Sequence, residues 1–295
     1  MRTFVRVAER ESLSAVAREL GIGQSTVTRH VQELEQALGV PLFSRTTRRV
    51  VLTEEGGRYF ESCLRILTLV EQANDDARAT LAAPAGSVRI SCTAALGVLH
   101  VTGALLRFQD RYPEISIDLS LRDERVDLVK EGIDLAVRLG PLADSVLKLR
   151  RIGRSRRLLV AAPSYLAARG RPQAPGDLSA HEGVRMSNVA GSDVLELEGR
   201  DGTRESVRFG GRLRVDHGLA AREALRAGRG IAPAHLWLVE DLLGTGDLER
   251  VLPDWSLPGV PLSLLVVPER ARVARVRHAA DFLVAALSSL PGIET

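Results

Sequence analysis

Apolar residues near the N-terminus recur at intervals of three and four residues in two consecutive blocks. The first block comprises Leu13, Val16, Ala17 and Leu20, and the second comprises Val27, Val31, Leu34 and Leu38. This spacing predicts two short amphipathic helices. Ser12 and Ser14 are candidate N-caps of the first helix, and Gly21 and Gly39 are placed to end the two helices. The tight turn at residues 21–23 makes the pair a predicted helix-turn-helix, in which the second helix is free to enter a DNA major groove.

The second helix of this pair carries a polar face opposite its apolar one. Projected at about 100° per residue, that face holds Ser25, Arg29, Gln32 and Gln36, flanked by Thr26 and Thr28. Arginine, glutamine, serine and threonine have the geometry to contact base edges and phosphates. A simple solvated helix face is the alternative interpretation of the same pattern.

The segment after these helices has the pattern of a wing. An apolar stretch at residues 40–43 precedes a basic turn at 45–49, and a strand is predicted at 50–52. Arginines at such a tip are placed to bond phosphates and to fix the register on DNA without reading its sequence.

A longer helix is predicted next. Thr53 is its candidate N-cap, and Glu54 and Glu55 lie in its first turn, where acids offset the helix dipole. The a/d positions of a coiled-coil seam along it are Phe60, Cys63, Leu67, Val70, Asn74, Ala77 and Leu81. The seam predicts a homodimer, with the Asn74 amide fixing its register. The alternative is a helix packed against its own domain, with Cys63 as a small packing residue.

Residues 82–86, which include Pro84 and Gly86, break this helix and mark a domain boundary. Beyond it, strands and helices alternate as in an α/β domain. Strands are predicted at 88–92, 115–121, 135–139, 158–162, 194–197, 207–209 and 213–215, near 231, and at 262–267. Helices are predicted at 97–112, near 125–131, and at 220–227, 236–243 and 273–289.

Composition favours two globular domains and disfavours a membrane protein. The chain has 295 residues, of which 45% are hydrophobic and 26% charged, which are ordinary values for soluble proteins. No apolar run approaches the ~20 residues of a membrane span. No signal sequence precedes the first helix, so we expect a cytoplasmic protein. The net charge of +3 is only a weak argument for an anionic partner.

The two cysteines, Cys63 and Cys92, lie outside any cluster with metal-ligand spacing. We therefore expect no metal, disulfide or cofactor. Cys92 ends a predicted strand, and an oxidant-sensing thiol of lowered pKa is an alternative role for it. The absence of a second cysteine in the same domain disfavours that role.

Several strings of residues resemble the LysR-type transcriptional regulators over essentially the whole chain. The N-terminal strings are Phe4-Val5-x-Val7-Ala8-Glu9, Leu13-Ser14-Ala15-x-Ala17-x-x-Leu20-Gly21, Gln24-x-x-Val27-x-Arg29 and Leu34-Glu35-x-x-Leu38-Gly39-Val40-x-Leu42-Phe43-x-Arg45-Thr46. The later strings are Phe108-x-x-x-Tyr112-Pro113, Asp134-Leu135-Ala136-Val137-Arg138 and Gly228-x-Gly230-Ile231-Ala232.

This resemblance implies an α/β protein with an N-terminal all-α winged helix-turn-helix. The expected parts are a DNA-binding domain at 1–58, a linker and dimerisation helix at 59–82, and an effector-binding domain at 83–295. The last is expected to resemble type 2 periplasmic binding proteins, with lobe I at about 87–161 and 264–290 and lobe II at about 162–263. The implied partners are promoter DNA, a small-molecule effector, further copies of the chain in a homodimer or homotetramer, and RNA polymerase. A nucleoid-associated protein is expected.

The resemblance also implies which residues contact DNA. On the second helix they are Gln24, Ser25, Thr26, Thr28, Arg29 and Gln32, and on the wing they are Arg45, Thr46 and Arg48. Two positions depart from the family pattern, because Gly23 stands where a serine usually caps this helix and Ser25 where a proline often begins it. Glycine is an N-cap at a penalty of only a few tenths of a kcal/mol, so we expect the helix to form.

A cleft between the lobes is the expected effector site. The residues placed to face it are Thr93, Ala94, Arg122, Arg138, Asn188 and His217. Thr93 and Ala94 begin a helix, where free N–H groups suit a carboxylate or another anion. The alternatives are solvated arginines at strand ends and a His217 that only caps its helix.

An enzyme is the main competing class of protein. The chain has no GxSxG, GxGxxG, GKS/GKT or HExxH motif, so no catalytic residue is predicted. A solute-binding transport component is a second alternative, against which the basic wing and the missing signal sequence argue.

Overall fold

The computed structural model describes residues 1–45, 50–78, 84–124, 127–129, 131–141, 147–189, 191–268 and 270–295. Its α-helices are α1 (Arg2–Arg10), α2 (Leu13–Leu20), α3 (Gln24–Leu38), α4 (Glu54–Arg78), α5 (Ala94–Leu96), α6 (Thr102–Arg111), α7 (Pro163–Arg169), α8 (Gly218–Arg226), α9 (Leu236–Thr245) and α10 (Ala274–Ser288). Its strands are β1 (Phe43–Arg45), β2 (Val50–Leu52), β3 (Gly86–Cys92), β4 (Ile115–Leu121), β5 (Leu135–Leu139), β6 (Lys148–Ser155), β7 (Arg157–Ala161), β8 (Val184–Met186), β9 (Val194–Gly199), β10 (Arg204–Arg208), β11 (Leu213–Val215), β12 (Ile231–His235), β13 (Glu249–Val251), β14 (Trp255–Ser256), β15 (Val260–Val266) and β16 (Ile293–Glu294).

The predicted helix-turn-helix is confirmed as α2 and α3. The Ser12 hydroxyl caps α2 by accepting a hydrogen bond from the Ala15 N–H at 3.3 Å. Gly21 ends α2 with φ of 65°, in the left-handed region that glycine adopts most easily. Gly23 is the N-cap of α3 without a side-chain hydrogen bond, as expected, and Gly39 ends that helix with φ of 72°.

The wing is fixed to α3 and α4 by side chains at their ends. β1 and β2 form an antiparallel pair, so the predicted strand at 50–52 is confirmed. The Glu35 carboxylate accepts the backbone N–H groups of Leu42 at 2.8 Å and Phe43 at 3.1 Å, which holds the chain entering β1 against α3. Thr53 caps α4 as predicted, because its hydroxyl accepts the Gly56 N–H at 2.9 Å.

Part of the predicted coiled-coil seam faces inward instead. Phe60 and Cys63 are 5% and 0% exposed and belong to the core formed by α1, α2 and α3, against which Leu67 also packs. The prediction that Phe60 and Cys63 contact a partner helix is therefore wrong, because their own domain already covers them. Val70 is 42% exposed. The side chains of Asn74 and Ala77 and all of Leu81 lie outside the described residues.

Lobe I is built on a six-stranded mixed sheet with strand order β16-β6-β15-β5-β3-β4. β3 runs parallel to β4 and β5, whereas β15 runs antiparallel to β5 and β6. The parallel arrangement brings the carboxyl ends of β3, β4 and β5 to one edge, which is where ligands bind in open α/β sheets. A helical segment follows β3 directly, in which Gly97–Val101 forms a π turn between α5 and α6.

Lobe II has smaller sheets, and its limits differ from those expected. β7 pairs with β12 and β13, so residues 157–161 belong to lobe II, although the sequence placed them in lobe I. β15 pairs with β5 and β6, so the strand from residue 260 belongs to lobe I. The chain therefore crosses between lobes near Arg156 and again at residues 257–259.

The helix expected near residues 125–131 is not a helix in the part that the structure describes. Residues 128, 129, 131 and 132 form turns, with the Glu131 N–H bonded to the Asp127 carbonyl at 3.0 Å. Residues 125, 126 and 130 lie outside the described range. This turn packs against the N-terminal domain through Val129.

Candidate functional site

The exposed face of α3 is polar, as the helical projection predicts. Gln24, Ser25, Arg29 and Gln32 are exposed, and Thr26 and Thr28 are half-buried, whereas Val27 and Val31 are buried in the domain core. Arg29 lies only loosely beside Glu33, with 3.7 Å between Nε and Oε1, so its guanidinium is available to an external partner. The structure thus brings the six predicted α3 residues onto one surface.

The predicted wing residues lie at the limit of the described chain. Arg45 ends β1, but nothing is described of its side chain, and Thr46 and Arg48 lie outside the described residues. The described part of the wing is the antiparallel pair of β1 and β2, which follows α3 along the chain.

Arg138 is a buried guanidinium in lobe I. It ends β5 beside β3, is 7% exposed, and donates hydrogen bonds to Ser91 Oγ at 2.6 Å and the Val137 carbonyl at 3.2 Å. Burial lowers its pKa, an effect that Asp123 and Glu131 partly offset. No carboxylate of the described residues lies within ion-pair distance of it. Since arginine stays charged in proteins, the positive charge of Arg138 has no anionic partner in contact.

The residues that begin the helical segment after β3 follow the strand that pairs with the strand of Arg138. The Ala94 N–H donates to Asp123 Oδ1 at 2.9 Å, so an internal carboxylate already occupies the start of α5. The Thr93 hydroxyl is buried and, apart from the neighbouring Cys92 thiol, has no hydrogen-bond partner among the described residues, although buried polar groups are usually well bonded. Sequence reasoning missed Ser91 and Asp123, although Asp123 directly follows the strand end at Arg122.

The start of α8 in lobe II faces this region from the other side. A Cβ on Gly218 would lie 3.0 Å from the Ala95 Cβ, so the two helix starts are in close contact. His217 caps α8, with Nδ1 accepting the Leu219 N–H at 3.2 Å. The starts of α5 and α8, with Thr93, Ala94 and His217, thus lie at the junction of the two lobes, whereas Arg138 lies in the strand that pairs with β3.

Arg122 and Asn188, also predicted for the cleft, have other partners. Arg122 forms an ion pair with Glu131, with 3.1 Å between Nη1 and Oε2, and its side chain is 53% exposed. Asn188 is exposed and donates to the Asp216 carbonyl at 2.8 Å. The structure does not bring either polar group to Arg138.

Comparison with known proteins matches both halves of the chain. Residues 1–57 match the family model described as "Bacterial regulatory helix-turn-helix protein, lysR family", and residues 82–288 match that described as "LysR substrate binding domain". This chain belongs to the LysR family of transcriptional regulators. The family consists of regulators and not of enzymes, and the predicted combination of an N-terminal winged helix-turn-helix with an α/β regulatory domain is confirmed.

Relatives of this LysR-family chain align over nearly its whole length. The HTH-type transcriptional regulator DmlR of Escherichia coli (strain K12) is 34% identical over 284 residues, which cover 96% of this chain and 92% of DmlR. The full-length structure of the Vibrio cholerae virulence activator AphB is 26% identical with a TM-score of 0.62, covering 96% of this chain and 97% of AphB. CrgA from Neisseria meningitidis is 28% identical with a TM-score of 0.60, covering 95% of this chain and 97% of CrgA.

The cysteine and metal chemistry of this LysR-family protein is limited. Cys63 and Cys92 are both buried, and burial raises the pKa of the Cys92 thiol to about 12. Cys92 is therefore a thiol and not a thiolate at neutral pH, which argues against the oxidant-sensing alternative. Within the described ranges, no three His, Cys, Asp or Glu side chains gather as metal ligands. No helix in those ranges is long and apolar enough to cross a membrane.

A cavity of about 330 Å³ lies in lobe II and not at the lobe junction. Its lining includes Arg171, Gln173, Arg250 and Trp255. The buried guanidinium of Arg138 lies instead in lobe I, in the strand that pairs with β3. The two lobes contact each other where α5 and α8 begin.

Proposed function

We propose that this LysR-family regulator binds promoter DNA through α3 and its wing, and binds a small anionic effector between its two lobes. The observation that carries the effector half is Arg138, a buried cation with no anion in contact among the described residues, in the strand next to the one that leads to the buried Thr93 hydroxyl. A buried charge is costly unless it is paired. An effector carboxylate at this site would supply the missing partner for Arg138 and an acceptor for Thr93. The protein acts at the nucleoid, in the cytoplasm.

The DNA half of the proposal rests on the exposed polar face of α3. Replacing Arg29 with alanine is expected to weaken binding to specific DNA about 5- to 100-fold, which corresponds to the loss of one bidentate base contact. Binding to bulk DNA should change far less. The measurement is a gel shift with a genomic fragment selected by the unaltered protein, against random competitor DNA.

The matched control for Arg29→Ala is Arg107→Ala, which removes the same charge from an exposed site on α6 in lobe I. It should leave specific binding within about twofold, because only long-range charge changes. Equal losses of specific and bulk binding in Arg29→Ala would assign Arg29 to a phosphate.

The effector half predicts a loss of anion binding when Arg138 is neutralised. A panel of small mono- and dicarboxylates is screened for those that raise the melting temperature of the protein. Arg138→Gln is expected to weaken binding of the active compounds about tenfold or more, as expected when a charge-assisted hydrogen bond is lost. Arg150→Gln is the control, because Arg150 lies in the same sheet but pairs with Asp281 at 2.6 Å. Unchanged affinity in Arg138→Gln would remove Arg138 from the site.

The chain is further proposed to dimerise through α4, with dimers pairing into tetramers and effector-bound tetramers contacting RNA polymerase. Among the described side chains of α4, three large apolar ones are exposed, namely Ile66, Leu69 and Val70, at 44%, 61% and 42% exposure. They are spaced three and four residues apart and form one stripe along the helix. A second copy of the helix that covers this stripe would remove it from water, which favours association.

Leu69→Glu is accordingly expected to weaken the dimer at least about tenfold, because a charge enters the apolar contact. Sedimentation equilibrium measures the dissociation constant. Arg65→Glu, on an exposed polar position of the same helix, serves as the control for charge alone. If the dimer dissociation constant of the Leu69→Glu variant were no larger than that of the Arg65→Glu variant, the dimer contact would lie elsewhere.

A further inference from the structure

One ion pair joins the DNA-binding domain to the regulatory domain. Glu9 of α1 contacts Arg89 of β3, with 2.9 Å between Oε1 and Nη1, and its other oxygen contacts Arg6 Nη1 at 2.6 Å. The Glu9 and Arg89 side chains are only 11% and 24% exposed. The same carboxylate therefore bonds one arginine of its own domain and one of the other.

Both ends of this pair are held by further contacts. In the N-terminal domain, Arg6 Nε donates to Glu19 Oε1 at 2.6 Å, and Arg10 contacts the other oxygen of Glu19 at 3.0 Å. In lobe I, the Arg89 backbone N–H donates to Asp134 Oδ2 at 2.8 Å. An ion pair with ordered, partly buried ends retains more of its attraction than one between two mobile surface side chains.

A glycine of lobe I packs directly on the pair. A Cβ on Gly132 would lie 2.8 Å from Glu9 Oε1 and 2.9 Å from Arg89 Nη1, and Gly132 has φ of 65°. The turn that contains Gly132 also contacts the N-terminal core through Val129. The contact between the domains is therefore close-packed as well as ionic.

The same turn reaches the lobe junction. Glu131 precedes Gly132 and pairs with Arg122, which follows β4 directly before Asp123, the residue that bonds the start of α5. One peptide unit thus separates the Glu131–Arg122 pair, which adjoins Asp123, from the contact to the DNA-binding domain. A shift of this strand end on effector binding would displace Gly132 against Glu9.

We propose that Glu9 and Arg89 are positioning residues that set the orientation of the DNA-binding domain on the regulatory domain, with the turn at 131–134 linking their contact to the effector site. This inference rests on the proposed function, since orientation matters only if both sites bind. Glu9 and Arg89 would then couple the effector site to the DNA-binding domain, although neither residue contacts DNA or effector.

The first test requires neither DNA nor effector. Hydrogen exchange is measured on the full chain with Glu9→Gln, Arg89→Gln and both changes together. Each single variant should speed exchange in α1 and at 131–134 about threefold to tenfold, as expected when a local contact is lost. The double variant should exchange no faster than either single one. Arg89→Lys, which keeps the charge, should restore slower exchange.

Two controls separate this contact from its neighbours. Glu19→Gln removes a carboxylate from the same network inside the N-terminal domain and should leave exchange at 131–134 unchanged. Asp118→Asn removes the more distant partner of Arg89, at 3.7 Å, and should have little effect on α1. Additive effects of Glu9→Gln and Arg89→Gln, or unchanged exchange in α1, would overturn the proposal.

The second test reads out DNA geometry. On a genomic fragment selected by the unaltered protein, Arg89→Gln should change the bend angle and the footprint length, with affinity for a single half-site within about threefold. A purely structural role would lower the affinity without changing the bend, and that result would overturn the proposal. If the unaltered protein selected no fragment, the proposed function would fail, whereas the exchange experiment would still decide whether Glu9 and Arg89 couple the domains.

Discussion

Replacing Gly56 with alanine is expected to destabilise the N-terminal domain by about 3 kcal/mol, as in overpacked cores. A Cβ on Gly56 would overlap the Leu42 carbonyl oxygen and lie 2.9 Å from the carbonyl carbon. That oxygen accepts the Thr53 N–H at 3.0 Å, and the Thr53 hydroxyl in turn caps α4. The extra methyl group therefore displaces the backbone that joins the wing to α4, and specific DNA binding should be lost with it.

Gly57→Ala is the matched control for this substitution. It lies one residue further along the same helix, and a Cβ there would meet nothing within 4 Å. Alanine is a better helix former than glycine, so this variant should gain about 0.5–1 kcal/mol of stability.

Both tryptophans of the chain, Trp237 and Trp255, lie in the regulatory domain. Far-ultraviolet circular dichroism during urea unfolding should therefore show the early loss of the N-terminal helices, with the tryptophan fluorescence transition unchanged. Equal stability of the two variants would contradict the packing argument.

His235 is expected to make the regulatory domain sensitive to acid. It lies where β12 meets α9, next to the crossing between the lobes, and stacks on Trp237 with ring centroids 5.3 Å apart. Ser155 Oγ accepts the Trp237 Nε1–H at 2.9 Å and lies 2.8 Å from His235 Nδ1. Burial, together with the charge of Arg157, lowers the pKa of His235 from 6.5 to about 3.

The sign of the effect follows from which state binds the proton. Between the unfolded pKa of 6.5 and the folded pKa of about 3, the unfolded chain protonates this imidazole and the folded chain does not. The stability that neutral His235 contributes is therefore complete above pH 6.5 and is lost as the pH falls, by about 1.4 kcal/mol per pH unit. From pH 6.5 to about pH 5, the loss is about 2 kcal/mol.

The measurement is the free energy of unfolding by urea across this pH range, followed by tryptophan fluorescence. Because glutamine does not titrate, His235→Gln should lower the slope of the unfolding free energy against pH by about 1.4 kcal/mol per pH unit. This holds whether the variant itself is more or less stable than the unaltered protein. His30→Gln, at an exposed histidine of α3 in the domain without tryptophans, serves as the control for the loss of a histidine. A His235→Gln variant with an undiminished slope would show that another group causes the acid sensitivity.

Local signals predicted the N-terminal domain well, because its helices are bounded by residues that act on their own neighbours. Ser12, Gly21, Gly39 and Thr53 each end or begin a helix through contacts within four residues. The α4 seam shows the limit of such signals. Spacing identified a buried face at Phe60 and Cys63, but which surface covers it depends on how α1 to α3 fold back on the helix.

The regulatory domain was harder to predict, because its strands are defined by distant partners. β6 was missed, since it carries four cations among its eight residues and only Ile152 of its apolar side chains is buried. It forms because β15 and β16 pair with it from residues 260 and 293 onward. β7 follows β6 after one residue, so nothing local shows that it enters the other lobe. The sequence predicted Arg138 for the cleft. It did not predict the hydrogen bond between Asp123 and Ala94, because these residues lie 29 positions apart.

The hydrogen bond between the Ala94 N–H and Asp123 affects the free energy with which an anion would bind at the proposed site. An incoming carboxylate that takes the Ala94 N–H must displace Asp123, so one acid is exchanged for another and the count of hydrogen bonds at that N–H stays the same. The free energy gained must then derive from Arg138, Thr93 and the apolar body of the ligand. At the proposed site, the internal acid would therefore make the apolar contacts of a ligand count beside its charge.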